Sequence, residues 1–439
     1  MKTEEQKELL MIAYYFPPIK SMGSIRSYNI AQQFKKHFAK VHVAVSKNRH
    51  VLPQDPLPTS DFNILELPTV DYRTLSNLKK EKHVHYSEAR KAGLLGKTAV
   101  KALNSFPFNL VIGEGGIVYS LAGFFKCRAL IKKHKITHIY SSFRPYSDHF
   151  TAYLLKTYYP SLIWIADFRD IHIDPLKDNV YLTNYQHWCN KYLLAKADAV
   201  CTVSKGTKVH LDQYVKEVYV LPNGTHDLLK PSATAKPFDK FTISYTGSMY
   251  GRRRNPTLLL KVLAKLIQTG QIAANTIEIV HAGKDAAIWQ TWIEEYNLEN
   301  IFNNRGLIPM SEAVDIQHNS HMNLLLSFAI PEVTGGLTGK LYEYFAAKRP
   351  ILLIINGSQD EEFEEIFEEL AAGLVTYHQN EKDEKLLEAF LLKYYQEWVT
   401  TGTVKASIRA EALKKYEWDN MIPRFLQYLE KLQNEQASV

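Results

Sequence analysis

Cysteine is scarce, with three in 439 residues at positions 127, 189 and 201. Cys127, Cys189 and Cys201 lie far apart and form no Cys-x-x-Cys pair. That argues against a disulfide framework and a structural zinc site, and it fits a reducing cytoplasm. No stretch of 18 or more uninterrupted apolar residues occurs, so no membrane span is expected. The N-terminus MKTEEQKELL carries three Glu ahead of the first apolar run, and no secretory leader is expected. Internal repeats and low-complexity tracts are absent. The net charge of +7 is modest but partly concentrated, with seven Lys/Arg against two Glu between Lys79 and Lys101. Without a recognition motif or aromatic interleaving, that segment does not read as nucleic-acid binding. Two readings stay open for it. One is a solvated helix face; the other is a patch for anionic lipid headgroups, edged by Leu94, Leu95 and Val100.

The composition is that of a soluble globular protein, 46% apolar, 23% charged and 12% aromatic, and the length favours two cores over one. Apolar runs at 9–16, 41–45, 63–67, 138–142, 162–168, 199–203 and 218–221 read as buried strands. Between them, SIRSYNIAQQFKKHF and DHFTAYLLKTYY carry apolar residues at helical spacing. Residues 222–240 hold three Pro and several small polar residues, a linker signature. Strand-like runs then resume at 241–247, 276–283, 301–306, 321–328, 350–355 and 373–377. The expected fold is α/β, with two doubly wound Rossmann-like domains over 1–225 and 236–411 facing across a cleft. A charged amphipathic helix over 412–435 is expected to pack back on the first domain through Trp418, Ile422, Phe425 and Leu429.

Chemistry gathers in a few loops. TGGLTGKLYEYFAAKRPILLI (334–354) sets three glycines and a lysine ahead of a helix. It fails as an ATPase phosphate loop, because Thr334 stands where that motif needs Gly and Leu341 where it needs Ser or Thr. Gly335, Gly336 and Gly339 allow close backbone approach. A helix from about Leu337 offers unpaired N–H groups to an anion, and Lys340 adds charge. Glu343, one turn on, suits ribose hydroxyls, so the stretch describes a nucleoside diphosphate site. The alternative is a helix packed tightly through its glycines with Lys340 and Glu343 solvated. YTGSMYGRRRNPT places Arg252, Arg253 and Arg254 after Gly247, three guanidiniums whose repulsion an anion offsets. IADFRDIH (165–172) brings Asp167, Arg169 and Asp170 out of a buried strand. Asp170 is the candidate for orienting the acceptor or sugar, with Asp167 and Arg169 pairing to hold the loop. His318 and His321 read as a surface turn, and no metal site is expected.

Taken in order, YFPP…G…R, ADFRD, ADAVCTVS, LPNG, YTGS…R and GKLYEYFAAKRPIL resemble the family 4 retaining glycosyltransferases of the glycosyltransferase-B fold, and bacterial members that build surface glycans in particular. The resemblance implies sugar transfer from a UDP-, GDP- or dTDP-linked donor to a glycan or lipid-linked acceptor. It implies no metal and no cofactor beyond the donor; the scarce cysteines lead to the expectation of a cytoplasmic enzyme, and on its lipid reading the 79–101 patch makes it peripheral on the inner face of the membrane. Glu343 matches the second Glu of the family's Glu–seven residues–Glu motif, which contacts the ribose, and Gly335 stands where the first would be. Arg254, with Arg252 or Arg253, matches the basic pair on the leaving diphosphate. Catalytic roles then fall to Asp170, Arg254 and Lys340. Donor contacts fall to Gly247, Arg252, Arg253, Gly336, Thr338, Gly339, Leu341 and Glu343. Gly23, Arg26, His149, Asp167 and Arg169 are placed on the acceptor side. A nucleotide-sugar 2-epimerase and a non-catalytic nucleotide-sugar-binding module are the alternatives.

Overall fold

The computed structural model describes residues 7–47, 52, 54–55, 57–77, 93–175, 178–226, 229–249, 252–378, 380–405 and 408–437. The chain divides into two compact units, Met1–Pro222 with Met421–Val439, and Asn223–Asn420.

The first unit is built on a parallel sheet of β1 (Glu8–Ile12), β2 (Lys40–Ser46), β3 (Asn63–Leu67), β4 (Ile136–Phe143), β5 (Ile163–Phe168), β6 (Ala199–Thr202) and β7 (Tyr219–Val220), in the order β3-β2-β1-β4-β5-β6-β7. The second sheet holds β8 (Phe241–Thr246), β9 (Ile277–Ala282), β10 (Phe302–Gly306), β11 (Met322–Ala329), β12 (Ile351–Gly357) and β13 (Gly373–Tyr377), in the order β10-β9-β8-β11-β12-β13. Every pairing is parallel. Both faces of such sheets are covered by crossover helices, which is why the central strands are continuous apolar runs. Strand order reverses between β1 and β4 and between β8 and β11, and the carboxyl ends at these switch points are where doubly wound sheets bind ligands.

Local chemistry sets several boundaries. The strand expected over 9–16 leaves the ladder after Ala13, because the Tyr14 N–H turns away to the Asp148 carboxylate at 2.8 Å. The helix Met22–Phe34 starts at Ser21, whose hydroxyl accepts from the Ser24 N–H at 3.0 Å, and it buries Ile30, Ala31 and Phe34. The linker expected over 222–240 is pinned to the second unit: Leu229 is buried, and the Ser232 N–H donates to Asp315 at 2.7 Å. In place of one helix over 412–435 there is a short turn of helix, Ala410–Leu413, and then the helix Trp418–Ala437. From Met421 onward this helix belongs to the first unit, where Phe425 and Tyr428 pack on Tyr219 with ring centroids 5.1 and 4.7 Å apart.

The basic segment lies outside the described residues up to position 92. From Gly93 to Asn104 it is helical, with Lys97 exposed and Lys101 bound to Asp178 at 2.6 Å. Among the described residues, no helix is long and apolar enough to cross a membrane.

Candidate functional site

In the second unit, β8 and β11 pair only at Ile243–Met322 and Ser244–Asn323, although β8 runs on to Thr246 and β11 to Ala329. The loops that follow these two strands flank the crevice so formed. After β8, the Gly247 N–H donates to the Ala282 carbonyl at 2.8 Å. A side chain at Gly283 would press into the Gly247 carbonyl, 2.0 Å from a Cβ there, so only glycine lets the two backbones come this close. The loop is fastened by Asp285, which accepts from the Met249 N–H at 2.6 Å, and by Arg254, whose guanidinium donates to the Ser248 carbonyl at 3.1 Å. Arg254 is thus half-buried and fixed, whereas Arg252 and Arg253 are exposed, lying 5.9 Å from the Trp292 ring and 5.2 Å from the Phe328 ring.

After β11, the glycine stretch divides its labour differently from the sequence expectation. Gly335 has φ +65° and gives its N–H to the buried Asp360 at 2.7 Å, so it faces the protein; Gly336 is exposed. The helix begins at Gly339 and not near Leu337, which is buried. Thr338 precedes the helix without a side-chain cap, and the Gly339 and Lys340 N–H groups meet no acceptor among the described residues. An uncapped amino end of a nine-residue helix carries partial positive charge and directed donors, the arrangement that receives anions. Lys340 lies against the Gly247 loop, its Cε 3.5 Å from where a Gly247 Cβ would stand.

Glu343 is 5% exposed. Its Oε2 accepts from Lys340 Nζ at 2.9 Å and from Gln317 Nε2 at 2.7 Å. Gln317, on the helix Met310–Asn319, also donates to Thr246 Oγ1 at 2.7 Å, tying the end of β8 to Glu343. Oε1 of Glu343 takes no hydrogen bond from the described residues. Tyr344 fills the space behind, its hydroxyl accepting from the Thr246 N–H at 3.3 Å, and burial pushes that phenol up to about 12. The structure therefore gathers Gly247, Arg254, Gly339, Lys340 and Glu343 at one switch point. Gln317 and Thr246 complete the set with nothing in the local sequence to announce them.

The first unit revises several expectations. Asp167 pairs with Arg26 and not with Arg169. Arg26 donates Nε to Oδ2 at 3.0 Å and Nη2 to Oδ1 at 2.7 Å, and it also donates to the Leu221 and Pro222 carbonyls. Both partners are fully buried, so this fork is a clamp from β5 to the end of β7, closed to substrate. Burial works against both charges, but each lies beside its opposite, which raises the Arg26 pKa and lowers that of Asp167. Arg169 instead lies 5.1 Å from the Tyr15 ring and over Gly23, where a Cβ would stand 2.2 Å from its guanidinium. That close approach is the use of Gly23. Asp170 is exposed in the bend after β5. His149 is a core residue, 1% exposed among Phe143, Trp164 and Phe168; its Nδ1 bonds Ser141 at 2.8 Å, and burial drives its pKa down to about 3. His321 is likewise buried, with Nδ1 accepting from the Thr242 N–H at 3.0 Å, so the pair with His318 is no surface turn.

A buried polar network at the β1–β4 switch point was missed. Asp148 accepts from Tyr14 N–H and from the Tyr119 hydroxyl at 2.6 Å, and Asp71 accepts from the Tyr14 hydroxyl at 2.8 Å. Arg73 pairs with Glu114, which also accepts from Tyr15 at 3.0 Å. Beside it is a cavity of about 40 Å³ lined by Tyr72, Glu114, Phe143, Arg144, Tyr146 and His172. Glu114 sits in the run GEGG, just ahead of Gly115 and Gly116, both of positive φ.

Two doubly wound parallel sheets in this order define the glycosyltransferase-B fold. Solved structures bear this out over nearly the whole chain. Sucrose-phosphate synthase from Thermosynechococcus elongatus is 14% identical, with 98% of this chain and 100% of that one covered and a TM-score of 0.60. A mutant of S. aureus TarM in complex with fondaparinux, alpha-GlcNAc-glycerol and UDP is 11% identical, covering 97% and 100%, at 0.53. The UDP-GlcNAc 2-epimerase of Methanocaldococcus jannaschii is 10% identical, covering 96% and 99%, at 0.50. No protein-family model and no curated protein matches the sequence.

Proposed function

We propose that the protein is a retaining glycosyltransferase that moves a sugar from a nucleotide-sugar donor to a glycan or lipid-linked acceptor in cell-surface polysaccharide synthesis. The observation that carries the reading is the second unit's switch point, where a buried carboxylate with one open oxygen stands one turn into an uncapped helix beside Lys340 and the Arg254 loop. A diol fits the carboxylate and a diphosphate fits the helix start.

The chemistry follows from charge. As the sugar–phosphate bond breaks, negative charge grows on the departing diphosphate. The Gly339 and Lys340 N–H groups, free of acceptors among the described residues, receive it, with Lys340 Nζ and Arg254 alongside. Lys340 exchanges its bond to Glu343 for one to phosphate, and Glu343 keeps Gln317 while it receives the ribose. Arg252 and Arg253 supply further positive charge, and no divalent ion is assigned a role. Thr338, Gly336 and Leu341 shape the backbone around the phosphates. Asp170, exposed after β5, is assigned to orienting the acceptor hydroxyl. A lipid-linked acceptor fits a cytoplasmic enzyme that works peripherally at the inner face of the membrane.

The test is a thermal-shift panel of UDP-, GDP- and dTDP-sugars, followed by measurement of nucleotide release with and without acceptor. UDP-sugars come first, since the similar TarM structure holds UDP. Glu343→Ala and Arg254→Ala are each expected to cut donor affinity and release at least tenfold. Unchanged release in both would sink the site assignment. A 2-epimerase is the second reading, favoured by the epimerase among the similar structures. It predicts conversion of donor to its C2 epimer with no acceptor present.

A further inference from the structure

We propose that Glu8, His42 and His134 form a zinc site at the amino ends of the first unit's strands, apart from the donor site and independent of it. Three elements converge there: Glu8 opens β1, His42 lies in β2, and His134 ends the helix Gly116–Lys133. Two backbone features fix the approach. The Glu8 N–H donates to the Lys135 carbonyl at 3.1 Å, and the register of β1 on β4 shifts between Glu8 and Leu9, which holds Glu8 beside residue 134.

The side chains meet on one atom. Oε2 of Glu8 lies 2.6 Å from His42 Nε2 and 3.2 Å from His134 Nδ1, and the three potential ligand atoms all fall within 4.8 Å of one another. The two imidazoles are 4.6 Å apart at 60°, so they do not stack; each turns an edge nitrogen toward the carboxylate. Two imidazoles and one carboxylate with an open fourth position are a donor set that suits zinc at about 2.0–2.2 Å per bond. His42 is fully buried, while Glu8 and His134 keep 18% and 20% exposure, enough for a water ligand and an entry path.

The other ring nitrogen of His42 has a fixed partner, which in the metal-free form donates to the ring. Asn63 lies in β3 directly opposite His42, and its amide is 2.7 Å from Nδ1. In the metal-free form His42 carries its proton on Nε2 and gives it to Glu8. With zinc on Nε2 the proton moves to Nδ1, and a half-turn of the Asn63 amide presents its oxygen to receive it. The ring stays neutral throughout, and Glu8 supplies the negative charge.

The experiment uses the full chain without any histidine tag, stripped with chelator and dialysed against buffered free zinc, with bound metal counted by elemental analysis. One equivalent is expected, with a rise in melting temperature that chelator reverses. Glu8→Gln and His134→Ala, both partly exposed positions, are each expected to weaken zinc binding more than tenfold and to abolish the rise. Asn63→Ala is expected to weaken it about 10- to 100-fold by releasing the His42 ring. Absence of zinc in the parent chain, or equal zinc in either ligand variant, overturns the proposal. Circular dichroism and the unshifted melting point of metal-free variants separate loss of the site from loss of the fold.

Discussion

The two switch points of this chain treat charge in opposite ways. In the first unit, Arg26 with Asp167 is a closed pair, both carboxylate oxygens held by the guanidinium and both partners 2% exposed or less. In the second, Lys340 is 29% exposed, Glu343 has an open oxygen, and the helix they stand on has no cap. Buried, internally neutralised charges fix geometry; charges left half-open await a partner. The lesson is that polar residues at the end of a strand must be sorted by what already satisfies them before a role is assigned.

That contrast can be broken most forcefully at the clamp. Arg26→Met leaves Asp167 charged and buried without its partner, and the expected loss of stability is about 3–5 kcal/mol by urea denaturation. The double variant Arg26→Met/Asp167→Leu should recover much of it. A single variant as stable as the parent would mean the clamp is not structural.

The first unit's buried network should also show in pH. Burial lifts Asp148 from 3.8 to about 7, despite the donors from Tyr119 and Tyr14. The folded state then holds a proton that the unfolded chain has lost, so this contribution is full below pH 3.8 and disappears as pH rises through about 7. His149 runs the other way: its pKa falls from 6.5 to about 3 on burial, so its contribution is present above pH 6.5 and lost as pH falls toward 3. Unfolding free energies from urea titrations between pH 4 and 8 should lose their pH dependence on the alkaline side in Asp148→Asn and on the acid side in His149→Gln, each by up to about a few kcal/mol.

In the second unit the expected effects are on binding. Lys340→Met should cost less than about 1 kcal/mol of stability, as partly exposed pairs do, yet weaken nucleotide-sugar binding about tenfold or more by calorimetry. A stability loss comparable to that of Arg26→Met would erase the distinction between the units. At the bottom of the scale, Lys261→Met breaks the exposed 2.6 Å pair with Glu384 and should change the unfolding free energy from urea titration by no more than about 0.5 kcal/mol.

Much of the fold was legible because buried parallel strands are apolar on both faces. The runs at 63–67 and 373–377 are strands over those same residues, and the others shift by only a few positions. The pieces of the proposed donor site were legible in part because they are local: glycines, a lysine and a helix start within a dozen residues. What stayed hidden is long-range. Arg26 meets Asp167 across 141 positions, and Gln317 meets Glu343 from another helix. No spacing rule singles out such partners. Glu8, His42 and His134 escaped for the same reason, since three separate elements are needed to bring them together.

The helix Trp418–Ala437 starts with the second unit and ends with the first, so the first unit is assembled from the two extremities of the polypeptide. Cutting the gene after residue 222 would strip Tyr219 of its aromatic cover from Phe425 and Tyr428. A faithful isolated first half has to be sewn from both ends, with the last twenty or so residues grafted on or supplied as a separate peptide.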